Sequence, residues 1–106
     1  MIARLWHGIV PTAKRDAYLD LTVRVGLAEY QATPGNRGAW CLSRTEGEIT
    51  HVETLTFWDD TDAIKRFAGD DIRLAKYYDF DPDYLLEMEP HVRHYEVLTR
   101  GAPLTG

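Results

Sequence analysis

One cysteine, Cys41, stands in the 106 residues. No internal disulfide can form from it, and a chain so poor in thiols is expected in the cytoplasm. Basic residues are also scarce, 12 Lys and Arg against 17 Asp and Glu, for a formal net charge of −5. The deficit is uneven: residues 1–58 carry six charges of each sign, whereas residues 59–106 carry eleven acids and six bases. An acidic second half excludes the basic footprint needed for nucleic acid and for an anionic bilayer. No stretch approaches the roughly 20 apolar residues of a membrane span. No basic segment followed by a long apolar run opens the chain, so no signal peptide is expected. Metal motifs are missing as well. There is no H-x-x-x-H or H-E-x-x-H, and His91 and His94, three apart on a strand, lie on opposite faces. Asp79 to Asp83 lacks the length and terminal Glu of a calcium loop, and Gly35-Asn36-Arg37-Gly38 is too short for a phosphate loop.

What remains is an ordinary globular composition, 44% hydrophobic, at a length that suits one domain. That domain is expected over residues 1–100, followed by a flexible tail at 101–106. Ile2 to Val10 reads as a strand. Pro11 suits a helix start, and Ala17, Tyr18, Leu21 and Val25 repeat at helical spacing. Gly26 can stop or kink that helix, with one more turn over Leu27 to Ala32. Thr33-Pro34-Gly35-Asn36 is a turn. Gly38 to Thr45 and Glu48 to Trp58 form a hairpin about Glu46-Gly47. Asp60 caps a helix from Thr61 to Ala68, which breaks at Gly69. Asp70 then caps a second piece reaching Tyr78, and Glu89 to Arg100 forms the last strand. The order β-α-β-β-α-β predicts a ferredoxin-like α+β fold, a four-stranded antiparallel sheet with two helices on one face.

Both sheet faces are apolar. Strand one carries Ala3, Leu5, His7 and Ile9 on one side, assigned here to the helices, and Ile2, Trp6 and Gly8 on the other. Two helices cover only one face. The remaining greasy surface predicts a homodimer with sheets packed face to face and Trp6 in the interface. Trp40 reads as a core residue.

The strand and helix from Thr54 to Phe67, the opening Ile2-Ala3-Arg4-Leu5-Trp6-His7 and the closing His94-Tyr95-Glu96-Val97-Leu98 resemble the antibiotic biosynthesis monooxygenase family. The likeness spans residues 2 to about 98. It implies the dimeric α/β-barrel assembly, and a choice among cofactor-independent monooxygenases of aromatic polyketides, quinol monooxygenases and haem degraders. The haem-degrading branch has an Asn on strand one, a Trp on the second helix and an iron-ligating His ten residues later. The aligned positions here are His7, Phe67 and Tyr77, so none of the three is kept.

The leading expectation is therefore a monooxygenase that needs no metal, flavin or other cofactor and acts on a small aromatic or quinol-like molecule. Such chemistry needs a base, a dry pocket and a donor for the developing oxyanion. His7 is the candidate base and Tyr77 or Tyr78 the donor. As a helix carries Tyr77 and Tyr78 about 100° apart, only one should turn inward. Trp58, Phe67, Tyr78 and His94 are candidate substrate contacts. The bland reading of each is a core side chain with its polar atom satisfied. A non-catalytic binding or structural protein and a haem-binding relative with altered ligands stay open beside it.

Overall fold

A computed structural model describes residues 1–98 as one four-stranded antiparallel sheet backed by helices. β1 (Ile2–Pro11) lies inside the sheet between β3 (Ile49–Trp58) and β4 (Arg93–Glu96), and β2 (Asn36–Glu46) forms the far edge. All pairs are antiparallel, with Trp6 opposite Thr54 on β3 and Arg4 opposite His94 on β4. This is the expected ferredoxin-like α+β arrangement. The expected strand end at Thr99 and Arg100 and the tail 101–106 lie outside the described residues.

A continuous helical stretch follows β1. It comprises a 3-10 turn (Thr12–Lys14), α1 (Arg15–Leu21), a π-helical segment (Thr22–Leu27) and α2 (Ala28–Ala32). Gly26 thus widens the helix rather than ending it. α3 (Thr61–Ala68) begins where Asp60 Oδ1 accepts the Ala63 N–H at 2.9 Å, and it ends at Gly69. The turn before β2 runs so close to α3 that a Cβ on Gly35 would sit 2.4 Å from that of Ala63. Its φ of +93° also favours glycine.

The second helical piece, expected over Asp71 to Tyr78, does not form. Its backbone pairs sideways instead: Ala75 N–H donates to the Pro90 carbonyl and Val92 N–H to that of Arg73, both at 2.9 Å. Residues 90–92 are thereby drawn from β1, and β4 is shortened to Arg93–Glu96. A single 3-10 turn forms at Asp81–Asp83, on Pro82.

The sheet faces are reversed from the sequence expectation. Arg4, Trp6 and Val10 of β1, with Thr50, Val52, Thr54, Thr56 and Trp58 of β3, are buried against the helices. Gly8 decides the matter. A Cβ there would lie 2.5 Å from the Trp6 ring and 2.8 Å from Leu85, so the indole occupies the space a side chain would need. His7 therefore points to the helix-free face, and Trp6 belongs to the core rather than an interface. On the helix-free face Trp40 (43% exposed), Leu42, Ile49 and Tyr95 are exposed. Trp40 leans edge-on against Phe57 at 5.6 Å instead of entering the core. No helix among the described residues is long and apolar enough to cross a membrane.

Candidate active site

Between helices and sheet lies a cavity of about 30 Å³. Tyr18, Thr22, Gly26 and Tyr30 wall it from the helical layer, Trp6 and Thr54 from the sheet, and Lys76, Tyr78, Phe80 and Asp81 from the loop beyond α3. The lining explains the local sequence. The π-helical segment brings Thr22 and Gly26 to the wall, and the small Gly26 leaves room there. π-bulges recur at functional sites for this reason. The volume admits water but falls well short of the roughly 300 Å³ at which small-molecule sites begin. Tyr78 and Phe80, whose rings stack at 5.6 Å, form one wall on irregular backbone.

Two acid–base clusters border the cavity. Asp81 is 3% exposed. Its Oδ1 accepts the Tyr18 hydroxyl at 2.8 Å and its Oδ2 the Tyr78 N–H at 2.6 Å. No cation pairs with it among the described residues. Burial lifts its carboxyl above the ordinary range, outweighing both hydrogen bonds. The Tyr18 phenol is raised by burial and then by the Asp81 charge. The second cluster centres on Glu29, which accepts the Tyr78 hydroxyl at 2.6 Å and pairs with Lys76. Burial pushes Glu29 up, but the hydrogen bonds from Lys76 and Tyr78 prevail and hold it low. Lys76 Nζ also lies 4.6 Å over the Phe67 ring.

The structure brings only part of the expected set together. Tyr78 lines the cavity. Phe67 lies one layer behind, 4.5 Å from Tyr30, and Trp58 lies behind that, fully buried with its indole N–H on Thr56 Oγ1 at 2.8 Å. His94 is half-buried on the helix side opposite Arg4, outside the cavity lining. Tyr77 donates its hydroxyl to the Glu89 carbonyl and packs edge-on against Trp6. Because this segment is not helical, Tyr77 and Tyr78 are both half-buried with paired hydroxyls. His7 is not brought to the cavity. On the far side of the sheet its Nδ1–H donates to Glu89 at 2.5 Å and its Nε2 meets His51 Nδ1 at 2.9 Å. A groove of about 290 Å³ runs beside it, bordered by Glu53, His91 and Arg93. No three metal-ligating side chains converge among the described residues.

Sequence reasoning missed Trp6, Tyr18, Tyr30, Lys76 and Asp81 as cavity residues. Gly8, which frees one side of β1 for a large ring, was the available signal for Trp6. Asp81 read as one acid in a solvated run, and only its approach to Tyr18, 63 positions away, marks it out.

No known family profile matches the sequence, and no curated protein sequence matches it. Solved structures share the fold. A Nitrosomonas europaea protein, provisionally named an antibiotic biosynthesis monooxygenase, superposes with a TM-score of 0.70 at 16% identity, covering 93% of this chain and 100% of that one. A Bacillus cereus protein of the same provisional name gives 0.65 at 16%, covering 99% and 98%. MhuD, a haem degrader of Mycobacterium tuberculosis with two haems bound in its active site, gives 0.61 at 15%, covering 96% and 100%. The chain has the fold of the antibiotic biosynthesis monooxygenase structures, as the resemblance of its strand and helix segments implied.

Proposed function

We propose that this protein is a monooxygenase that uses the electrons of its own substrate, a small flat quinol or anthrone-like phenol, without a metal or flavin. The observation that carries the reading is the cavity itself. Aromatic rings on three sides offer stacking to a flat molecule, and a buried carboxyl with a raised proton affinity stands at the wall. Asp81 takes the role first expected of His7, that of general base. It removes an acidic proton from the substrate, and the resulting carbanion–enolate passes electrons to O₂. Oxygen adds at the reacting carbon as a hydroperoxide. Loss of water from it, assisted by protonated Asp81, leaves the carbon as a carbonyl. For a CH₂ carbon the balance is CH₂ + O₂ → C=O + H₂O. Tyr78 donates toward the developing oxyanion once Glu29 turns to Lys76 alone. Tyr30 and Phe80 hold the ring plane. Phe67 and Trp58 support Tyr30 from behind, and Tyr77, through its hydrogen bond to the Glu89 carbonyl, positions the covering segment, with His94 beyond the cavity beside Arg4.

Function is proposed in a cytoplasmic homodimer joined through the helix-free sheet face, where His7 becomes an interface residue. The exposed Trp40, Leu42, Ile49 and Tyr95 support that assembly.

Likeness to MhuD raises haem as a second reading, and the residues present do not fit it. No histidine, cysteine or methionine lines the cavity. Its phenols are raised by burial, with Tyr18 and Tyr78 tied to carboxylates and Tyr30 to Thr54 Oγ1, which opposes a phenolate ligand. The two readings separate in one session. Oxygen uptake with anthrones or quinols, falling about 10²–10⁴-fold in Asp81→Asn, supports oxygenation. A stoichiometric Soret band on adding haem, with no uptake, overturns it. Silence in both assays leaves a non-catalytic binding protein.

A further inference from the structure

Arg4 is 1% exposed and sits on the helix side of β1. No carboxylate pairs with it among the described residues, although every other buried or half-buried charge near the cavity has a partner or a means of neutralising itself. Lys76 has Glu29, and Asp81 can hold a proton. Arg4 has neither. Its Nη2 donates to the Leu74 carbonyl at 3.1 Å, its guanidinium lies 5.5 Å from the Phe67 ring, and its Nε has no hydrogen-bond partner. Across the β1–β4 ladder stands His94, whose Nε2 is likewise buried and unpartnered. Burial and the Arg4 charge keep that imidazole neutral. Tyr30, another neighbour, is a neutral phenol. A buried cation ringed by neutral groups is costly, because nothing repays the water it lost. Guanidinium is also the side chain whose planar fork best matches a carboxylate.

We infer that the ligand of this cavity is a flat aromatic acid, and that Arg4 is the counter-charge for its carboxylate. The inference rests on the aromatic-ligand reading and adds the charge of the ligand to it. Phe67 relates the two cations, with Lys76 4.6 Å and Arg4 5.5 Å from its ring. The ring system stacks in the cavity lined by Trp6, Tyr30 and Tyr78. Arg4 lies outside the cavity lining, behind Tyr30 and beside Phe67, so the carboxylate must pass Tyr30 to reach Arg4 Nε and Nη2, displacing the Leu74 carbonyl. The Leu74 side chain is 45% exposed, and its backbone is held between the Arg73–Val92 and Ala75–Pro90 hydrogen bonds, so the carboxylate replaces its carbonyl at Arg4 without that pairing breaking.

The test compares 1-hydroxy-2-naphthoate with its methyl ester, which is neutral and larger by one methyl group, and with the uncharged, equally small 1-hydroxy-2-naphthamide. Wild-type protein is expected to bind the acid at least about tenfold more tightly than either, with a rise in melting temperature that neither produces. Arg4→Met, similar in length and uncharged, should keep or raise the melting temperature of the free protein while binding acid and amide alike. Arg4→Lys should retain part of the preference. Equal binding of acid and amide by wild type, or a preference that survives in Arg4→Met, overturns the inference and leaves the aromatic-ligand reading standing. Failure of all three compounds to bind sinks that reading together with it. Should Arg4→Met not fold, Arg4→Lys decides: a full, undiminished preference for the acid in that variant overturns the inference.

Discussion

Asp81, buried, and His94, half-buried, show how two titratable groups of opposite kind shape pH dependence. Asp81 is pushed up by burial, so the folded chain holds its proton to higher pH than the unfolded chain. His94 is pushed down, first by burial and then by Arg4. The signs follow from linkage. Between the folded value of His94 and the ordinary value near 6.5, the unfolded chain binds the extra proton. Stability from His94 is therefore present above about pH 6.5 and drains away as pH falls through that window. Asp81 acts the other way, since its ionisation in the fold is unfavourable. It costs stability as pH rises above the usual carboxylate value. A comparison of variants isolates the histidine: the melting temperature of wild type relative to His94→Asn should drop between pH 7 and pH 5. A constant difference across that range would contradict the assignment. Neither residue announced this behaviour in sequence, because their partners, Arg4 and Tyr18, lie far off along the chain.

At the scale of elements, β1 is the decisive strand, since it carries the core ring Trp6 on one face and His7 on the other. Gly8 is its weak point. Gly8→Ala would place a methyl group inside contact distance of Trp6 and Leu85. Overpacking of that kind costs about 1–3 kcal/mol. Chemical denaturation should register the loss, and fluorescence should report a displaced Trp6. A neutral result would mean that β1 bends freely to make room. The same strand explains how much could be read in advance. Turn residues, the Asp60 cap and the hairpin are local signals, and they placed β1, β2, β3 and α3 well. Which side of β1 faced inward was not legible, because Leu5 and Ile9 are as apolar as Trp6 and Val10. Alternation alone names two faces without saying which is covered. The segment after Gly69 misled for a different reason. Its spacing suited a helix, but sideways pairing to Pro90 and Val92 satisfied the backbone instead.

The whole molecule presents one sheet face to helices and the other to nothing among the described residues. Trp40, Leu42, Ile49 and Tyr95 surround a polar strip of His7, His51 and Glu89 there. A strip bearing both carboxylate and imidazole groups can meet its own copy across a two-fold axis without like charges alone in contact. Light scattering after size-exclusion chromatography should give twice the chain mass at micromolar concentration. Trp40→Glu, which sets a charge on the exposed patch, should shift the protein toward monomer with its fold intact. A monomeric wild type would remove the dimer.

The site's location is the claim on which the functional account turns. Titrating an ¹⁵N-labelled sample with 1-hydroxy-2-naphthoate and following amide shifts tests it directly. The changes should gather at Thr22, Gly26, Tyr30, Thr54, Lys76 and Tyr78, on the helix side of the sheet. Changes confined to His7, His51 and Arg93 would place the ligand on the opposite face and contradict the account.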